Sequence, residues 1–480
     1  MSSLRTRAAR TRAASPSSRA GIALGIMLSA QLMIILDATV VNIALPHILT
    51  SLQFSRTSLS WVMNAYTLTF GGLLLLGGRT GDILGRRRVF GAGIVLFTVA
   101  SLAGGLAQSA GWLLAARAAQ GVGGAFASPA VLAMITASFA DGRERARALG
   151  IYTAVVMGGG SLGLVLGGVI TEWVSWRWVL FINVPIGVLV AIAAPMFLPE
   201  TARQPGHFDA AGALTSTAGM VSLVYGIIRA AADGWGNPVT LAALTAAAVL
   251  LAGFVWRESR AQQPITPLRL FADRRRAGSY LTRLLIVAGM FGMFFFLTQF
   301  VQEILGFSPL RAGISFLPMT AALFGVSRLA PRLVSRFRPW TLMVTGMLPV
   351  VAGMTWLSRI EPGTGYLAGV LGPMVLIGAG MGVVFVPLTM ASLSGVRPED
   401  SGAASSMVNV MQQVGGSLGL AVLVTAASSA MGPAASHAAV VHGMSRAFTL
   451  AAVFDVLALL VVLTVMRTAP NQKNGTATNQ

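Results

Sequence analysis

LDATVVNIALP (residues 36–46) sets a carboxylate, Asp37, near the middle of the first long apolar run of the chain. A charged side chain at bilayer depth costs at least ~2.5–3.5 kcal/mol on insertion scales, so it marks an ion or substrate path. The run itself is long enough, with its apolar flanks, to be a membrane span. A carboxylate placed there is the kind of group that carries a proton in coupled transport.

The rest of the chain has the composition that such a span requires. Of 480 residues, 55% are hydrophobic and only 10% are charged; the mean hydropathy is +0.75. A soluble domain carries roughly 25% charged residues. The short alternating segments of a β-barrel are missing. The expected class is therefore an all-α membrane protein with many spans. With no cysteine, disulfides and thiolate metal sites are excluded. His47, His207, His437 and His442 are scattered and form no metal-ligand pattern. No H-E-x-x-H, paired carboxylates in a span or nucleophile elbow is present, which argues against a membrane-embedded enzyme.

Apolar windows separated by Arg clusters and Gly/Pro breaks give fourteen candidate spans, from 20–44 and 58–78 at one end to 402–428 and 444–466 at the other. The net charge of +19 has a topological explanation rather than a nucleic-acid partner. Arg79 and Arg86–Arg88, Arg143 to Arg147, Arg257 to Arg283 and Arg328 to Arg338 all fall on alternate loops, the cytoplasmic ones by the positive-inside rule. That alternation leaves both termini in the cytoplasm. The expected organisation is a basic tail (1–19) and a first six-span half (20–198). A linker (199–279) follows with two extra spans, at 209–231 and 238–256. A second six-span half (280–466) and a short tail (467–480) complete the chain. Paired halves with a site at their interface are the repeat logic of many secondary transporters.

Three motifs sharpen this reading. GGRTGDILGRRR (77–88) joins the second and third spans and carries Gly78, Asp82, Gly85, Arg86 and Arg87; Asp82 and Arg86 are four apart and can pair on a helix. LLAARAAQGVGGAFASPA (113–130) embeds Arg117, with Gln120, Gly121, Gly124 and Ser128 on its helical face. An embedded Arg needs a partner, and Asp37 is the one acid deep in a nearby span. VVMGGGSLGLVLGGVI (155–170) repeats Gly159, Gly163 and Gly167, followed by Gly168, a flat face that lets helices touch.

The first motif resembles the major facilitator superfamily signature G-x-x-x-D-x-x-G-R-[KR], which gates the two halves on the cytoplasmic side. The second resembles that family's R-x-x-Q-G, whose Arg is linked to proton coupling. The third resembles its antiporter motif G-x-x-x-G-P-x-x-G-G, with Leu164 in place of the Pro and so without the expected kink. WVMNAYTL (61–68), SWRWVLFINVPIG (175–187), GAGMGVVFVPLT (378–389) and QQVGGSLGLAV (412–422) extend the likeness over nearly the whole chain. Together they resemble the fourteen-span drug:proton antiporters. In the second half, APRLVSRFR (330–338) is a degenerate echo of the gating loop, with Ser335 where the first half has Asp82.

The resemblance implies the major facilitator fold, two six-helix bundles plus two extra central helices. It implies proton-coupled export of small lipophilic or cationic compounds across a bacterial cell membrane, by a monomer with no cofactor beyond the coupling proton. Asp37 and Arg117 are the expected coupling pair. The candidate cavity residues are Gln31, Asn42, Asn64, Tyr66, Gln120, Met293, Phe295, Gln299, Gln302 and Asn409. A dedicated exporter of one endogenous metabolite or lipid is the alternative. Asp455, in the last span, is left open between a structural and a functional role.

Overall fold

The computed structural model describes residues 16–138, 143–200, 210–260, 268–396, 401–431 and 436–466. The expected terminal tails thus lie almost entirely outside the described residues. Among those residues the chain is helical throughout, with no strand.

The first half comprises α1 (Pro16–Ser51), α2 (Trp61–Leu84), α3 (Arg86–Gly105), α4 (Ala110–Ser138), α5 (Arg143–Trp173), the short α6 (Trp178–Phe181) and α7 (Asn183–Phe197). Next come α8 (Ala210–Asp233) and α9 (Pro238–Arg260). The second half comprises α10 (Arg274–Gln299), α11 (Pro309–Ser315), α12 (Leu317–Ser327), α13 (Ala330–Arg336), α14 (Pro339–Leu357), α15 (Gly372–Leu393), α16 (Ser401–Met431) and α17 (His437–Thr464). Eleven helical segments among the described residues are long and apolar enough to cross a membrane. Outside that set, α2, α5 and α8 are 24, 31 and 24 residues long.

Several boundaries differ from the sequence reading for identifiable reasons. The first helix passes through Pro46 to Ser51, although its apolar run was expected to end at 44. Neighbouring helices can absorb a backbone group freed by proline at membrane depth. Residues 77–88 are not a loop. They form the last turns of α2 and the start of α3, joined by the single residue Gly85 at φ 105°. A side chain at that φ is strained, and a Cβ there would lie 2.7 Å from a Glu200 carboxylate oxygen. The expected span 311–331 is two short helices broken at Phe316.

Each half packs as its own bundle, and α8–α9 forms a hairpin laid over α2 and α16, one helix from each half. Leu68, Val224, Ile228 and Ala421 form the apolar cluster at that seam. The halves meet along α2 against α16 and where α5 meets α11, and polar bridges between them lie at the end of the bundle where α1 finishes, here the Ser51 end. Asn42 donates to the Phe294 carbonyl (3.3 Å) and to Thr298 Oγ1 (3.2 Å). Gln302 donates to the Ile43 carbonyl (2.9 Å), and the Leu310 N–H to Glu172 (2.8 Å). Arg56 pairs with Glu303 at 2.8 Å. At the opposite, Arg86 end α12 and α13 pack mainly on α14 and α15 of the second half.

Candidate functional site: a buried ion pair in the first half

The site is assembled from five helices around Asp37. Its Oδ2 lies 2.5 Å from Arg117 Nη1. Its Oδ1 accepts from Gln120 Nε2 at 2.9 Å and from Asn183 Nδ2 at 2.8 Å. Arg117 Nη1 also donates to Gln120 Oε1 (2.9 Å), and Arg117 Nε to the Val62 carbonyl (3.0 Å). Gln120 Nε2 reaches Ser101 Oγ at 2.8 Å. The guanidinium sits 4.5 Å from the centroid of the Tyr66 ring, a cation–π contact. Asp37, Arg117, Gln120, Asn183 and Ser101 are all at 0% exposure.

Helix geometry explains the convergence. Arg117 and Gln120 are three apart on α4 and share one face. The glycines of α4 bring α2 and α3 close: Gly121 faces the Tyr66 carbonyl and Gly123 the α3 backbone at Phe97. The α5 ladder supports α1 from behind. A Cβ at Gly159 would meet Ile35 at 3.1 Å, and one at Gly167 the Val40 carbonyl at 2.7 Å; Gly163 faces Thr39. Gly168 instead faces the Pro309 carbonyl at 2.6 Å, so the same run meets the second half. With Leu164 in place of proline, α5 runs unbroken from Arg143 to Trp173.

Two charges at zero exposure are stable only when paired and hydrogen-bonded. The carboxylate here has three side-chain donors, its charge partner Arg117 and the amides of Gln120 and Asn183. The arrangement holds α1, α4 and α7 together as a unit, and moving any one of them leaves a buried charge uncompensated.

The gating motif takes a different form. Arg86 Nη1 donates to the Ala133 carbonyl (3.2 Å). Arg87 donates its backbone N–H to Glu200 (3.2 Å) and Nη1 to the Leu198 carbonyl (3.2 Å). The Arg87 and Arg88 side chains lie 3.5 and 3.8 Å from the Glu200 carboxylate. Gly78 packs against Pro129 at ordinary distance. The Asp82 side chain lies outside the described residues.

The candidate cavity residues do not form one group. Gln120 and Tyr66 belong to the ion-pair network, and Gln31 accepts from Ser128 at 3.3 Å. Asn42 and Gln302 bridge the halves. Gln299 donates to its own helix at Phe295 (3.1 Å). Met293 and Phe295 are packed in the main core, Asn64 is buried, and Asn409 is exposed. Sequence reasoning missed Asn183, Ser101 and Glu200. Asn183 was visible as a lone amide in the apolar stretch SWRWVLFINVPIG, whereas nothing local marks Glu200 as the acid beside Arg87. Among the described residues no cluster of His, Cys, Asp or Glu could hold a metal ion.

Comparison with known proteins agrees with this architecture. Residues 27–420 match the model of the Major Facilitator Superfamily. The chain is 42% identical to the puromycin resistance protein pur8 of Streptomyces alboniger, over 96% of this chain and 95% of that protein. It is 41% identical to the cephamycin export protein CmcT of Amycolatopsis lactamdurans, with the same coverage. Among solved structures, a bacterial homolog of the human lysosomal transporter Spinster, inward-facing and occupied, superimposes with a TM-score of 0.68 at 17% identity. That match covers 94% of this chain and 97% of that one, a likeness of fold. The chain belongs to the major facilitator superfamily, and these relatives are antibiotic resistance and export proteins.

Proposed function

We propose that the protein exports small lipophilic compounds (drugs, antibiotics or secondary metabolites) from the cytoplasm in exchange for protons. The observation that carries this reading is the wholly buried Asp37–Arg117 pair. Such a pair is expensive to place in a membrane and is retained where a charge must be handled. Polar bridges between the halves lie at the Ser51 end, as one state of an alternating-access cycle requires. The Arg-rich Arg86 end is cytoplasmic by the positive-inside rule, so both termini are inside and this state faces inward. Fourteen spans follow when α2, α5 and α8 join the eleven apolar segments, with α8–α9 as the extra pair. The protein works as a monomer and needs no cofactor beyond the proton. In the cycle, Asp37 gives up its proton inward, that state takes substrate between the halves, and protonation from outside resets the carrier.

The test is substrate-driven proton movement in inverted vesicles. Wild-type vesicles should collapse an imposed pH gradient when substrate is added, and Asp37→Asn vesicles should not. Equal proton flux in the variant sinks the reading. A second reading is a dedicated exporter of one endogenous compound. It is favoured by relatives whose names each carry a single antibiotic, puromycin and cephamycin. A panel of unrelated dyes separates the two: export of several supports the broad carrier, export of none the dedicated one.

A further inference from the structure

A second carboxyl, Asp455, lies within α17 at 0% exposure. Neither of its oxygens has a hydrogen-bond partner. Its helix buries Ala451, Ala452 and Ala458 around it. A Cβ added at Gly289 of α10 would stand 3.6 Å from Asp455 Oδ1 and 3.3 Å from the Ala451 carbonyl, so the α10 backbone closes over the carboxyl.

Among the described residues no cation is placed to compensate it. The main elements packed on α17 are α10, α14, α16 and the turn Phe300–Ile304. On α10 the titratable groups are Arg274, Arg275, Arg276, Tyr280 and Arg283. Arg283 comes nearest, six residues and so about 9 Å along the helix before Gly289. Its guanidinium is turned to α15, donating to Thr389 Oγ1 at 2.7 Å and lying 5.6 Å from the Phe385 ring centroid. Arg276 is spent on the Leu270, Arg269 and Ser394 carbonyls. Neither α14 nor α16 contains a titratable residue, and Glu303 in the turn pairs with Arg56. On α17 itself, His437, His442 and Arg446 lie nine or more residues away, upwards of about 13 Å along the axis.

An ionised carboxylate without donors or a counter-ion in an apolar interior costs far more than its neutralisation. We propose that Asp455 is a proton-binding site of the second half, buried in this conformation as the neutral carboxylic acid. The proton is locked in while α10 lies over the carboxyl and is free to exchange only when α10 and α17 part. The same α10 holds α1 through Phe294 and Thr298, so movement between the halves reaches the Gly289–Asp455 contact. The inference stands on burial and does not need the export reading.

Infrared difference spectroscopy of the full-length protein in lipid nanodiscs at neutral pH tests it. Subtracting Asp455→Asn from wild type should reveal the carbonyl stretch of a protonated carboxylic acid, and Asp37→Asn should leave that band in place. Only carboxylate bands in the difference, or loss of the acid band in Asp37→Asn but not in Asp455→Asn, overturns the proposal. If Asp455→Asn fails to fold, Asp455→Glu decides: a shifted acid band supports the site, and a carboxylate band in its place overturns it.

Discussion

The two halves of this bundle bury carboxylates in opposite ways. In the first, Asp37 has a guanidinium, an amide from Gln120 and an amide from Asn183 within hydrogen-bond reach. In the second, Asp455 has none, and the buried cations described in that half point elsewhere, Arg283 bonded to a hydroxyl and over a ring and Arg276 bonded to backbone carbonyls. The two corresponding motifs differ in the same sense, with Arg87 and Arg88 beside Glu200 but Ser335 standing where the first has Asp82. A paired charge ties helices together, whereas an unpaired acid must hold a proton or meet water. Two similar bundles can therefore bury an acid differently, one as part of a charge network and the other as a site that is neutral when closed.

The largest expected effect comes from breaking the network at its acid. Asp37→Asn keeps one acceptor for Arg117, so the protein should insert and fold while substrate-driven proton flux disappears; Asp37→Glu should retain part of it. Flux is read as pH change in proteoliposomes, and a normal trace for Asp37→Asn removes Asp37 from coupling. Arg117→Ala should cost about 3–5 kcal/mol of stability, the usual penalty for stranding a buried charge. Adding Asp37→Asn should return part of that loss. A melting temperature unchanged by Arg117→Ala would mean the charge is already reached by water.

Packing gives the next test. Gly167→Val drives a side chain into the Val40 backbone and should sharply lower the folded yield in size-exclusion profiles. Gly160→Ala has nothing within 4 Å and should behave as wild type. Equal yields would show that α1 and α5 are not in close register.

Smaller effects are expected at the surface. Glu200→Gln removes partly exposed ion pairs worth roughly 0.2–1 kcal/mol each. It should slow turnover a few-fold with little change in substrate affinity, and Asp82→Asn should do the same; a tenfold affinity loss at constant turnover contradicts a gating role. On the transport rate the smallest effect is expected of Asn42→Ala, a change at a buried residue that removes hydrogen bonds worth roughly 0.5–1.5 kcal/mol each from the contact between halves. With Val301→Cys as the single thiol in a chain without cysteine, the variant should label several-fold faster from the Ser51 side. An unchanged rate would mean that the apolar core alone seals that end.

The amino-acid order alone determined the solvent, the helical class and the residues of the central pair. Apolar runs near bilayer length admit few folds, and Asp37 and Arg117 stand out because a charge in such a run is costly wherever it lies. The order also marked Gly85 as a member of the motif that joins the second and third spans. Tertiary structure decided the rest. Asn183 and Ser101 join the site because α7 and α3 are pressed against α4, and no local pattern encodes which amide faces which acid. Glu200 meets Arg87 across more than a hundred residues, so neither carries a mark of the other. Met293 and Phe295, cavity candidates by chemistry, are buried in the main apolar cluster, a placement that depends on how α10 packs on α16 and α17. Asp455 could be read as an embedded acid from its place in the chain, but its lack of any partner follows from the helices that surround it.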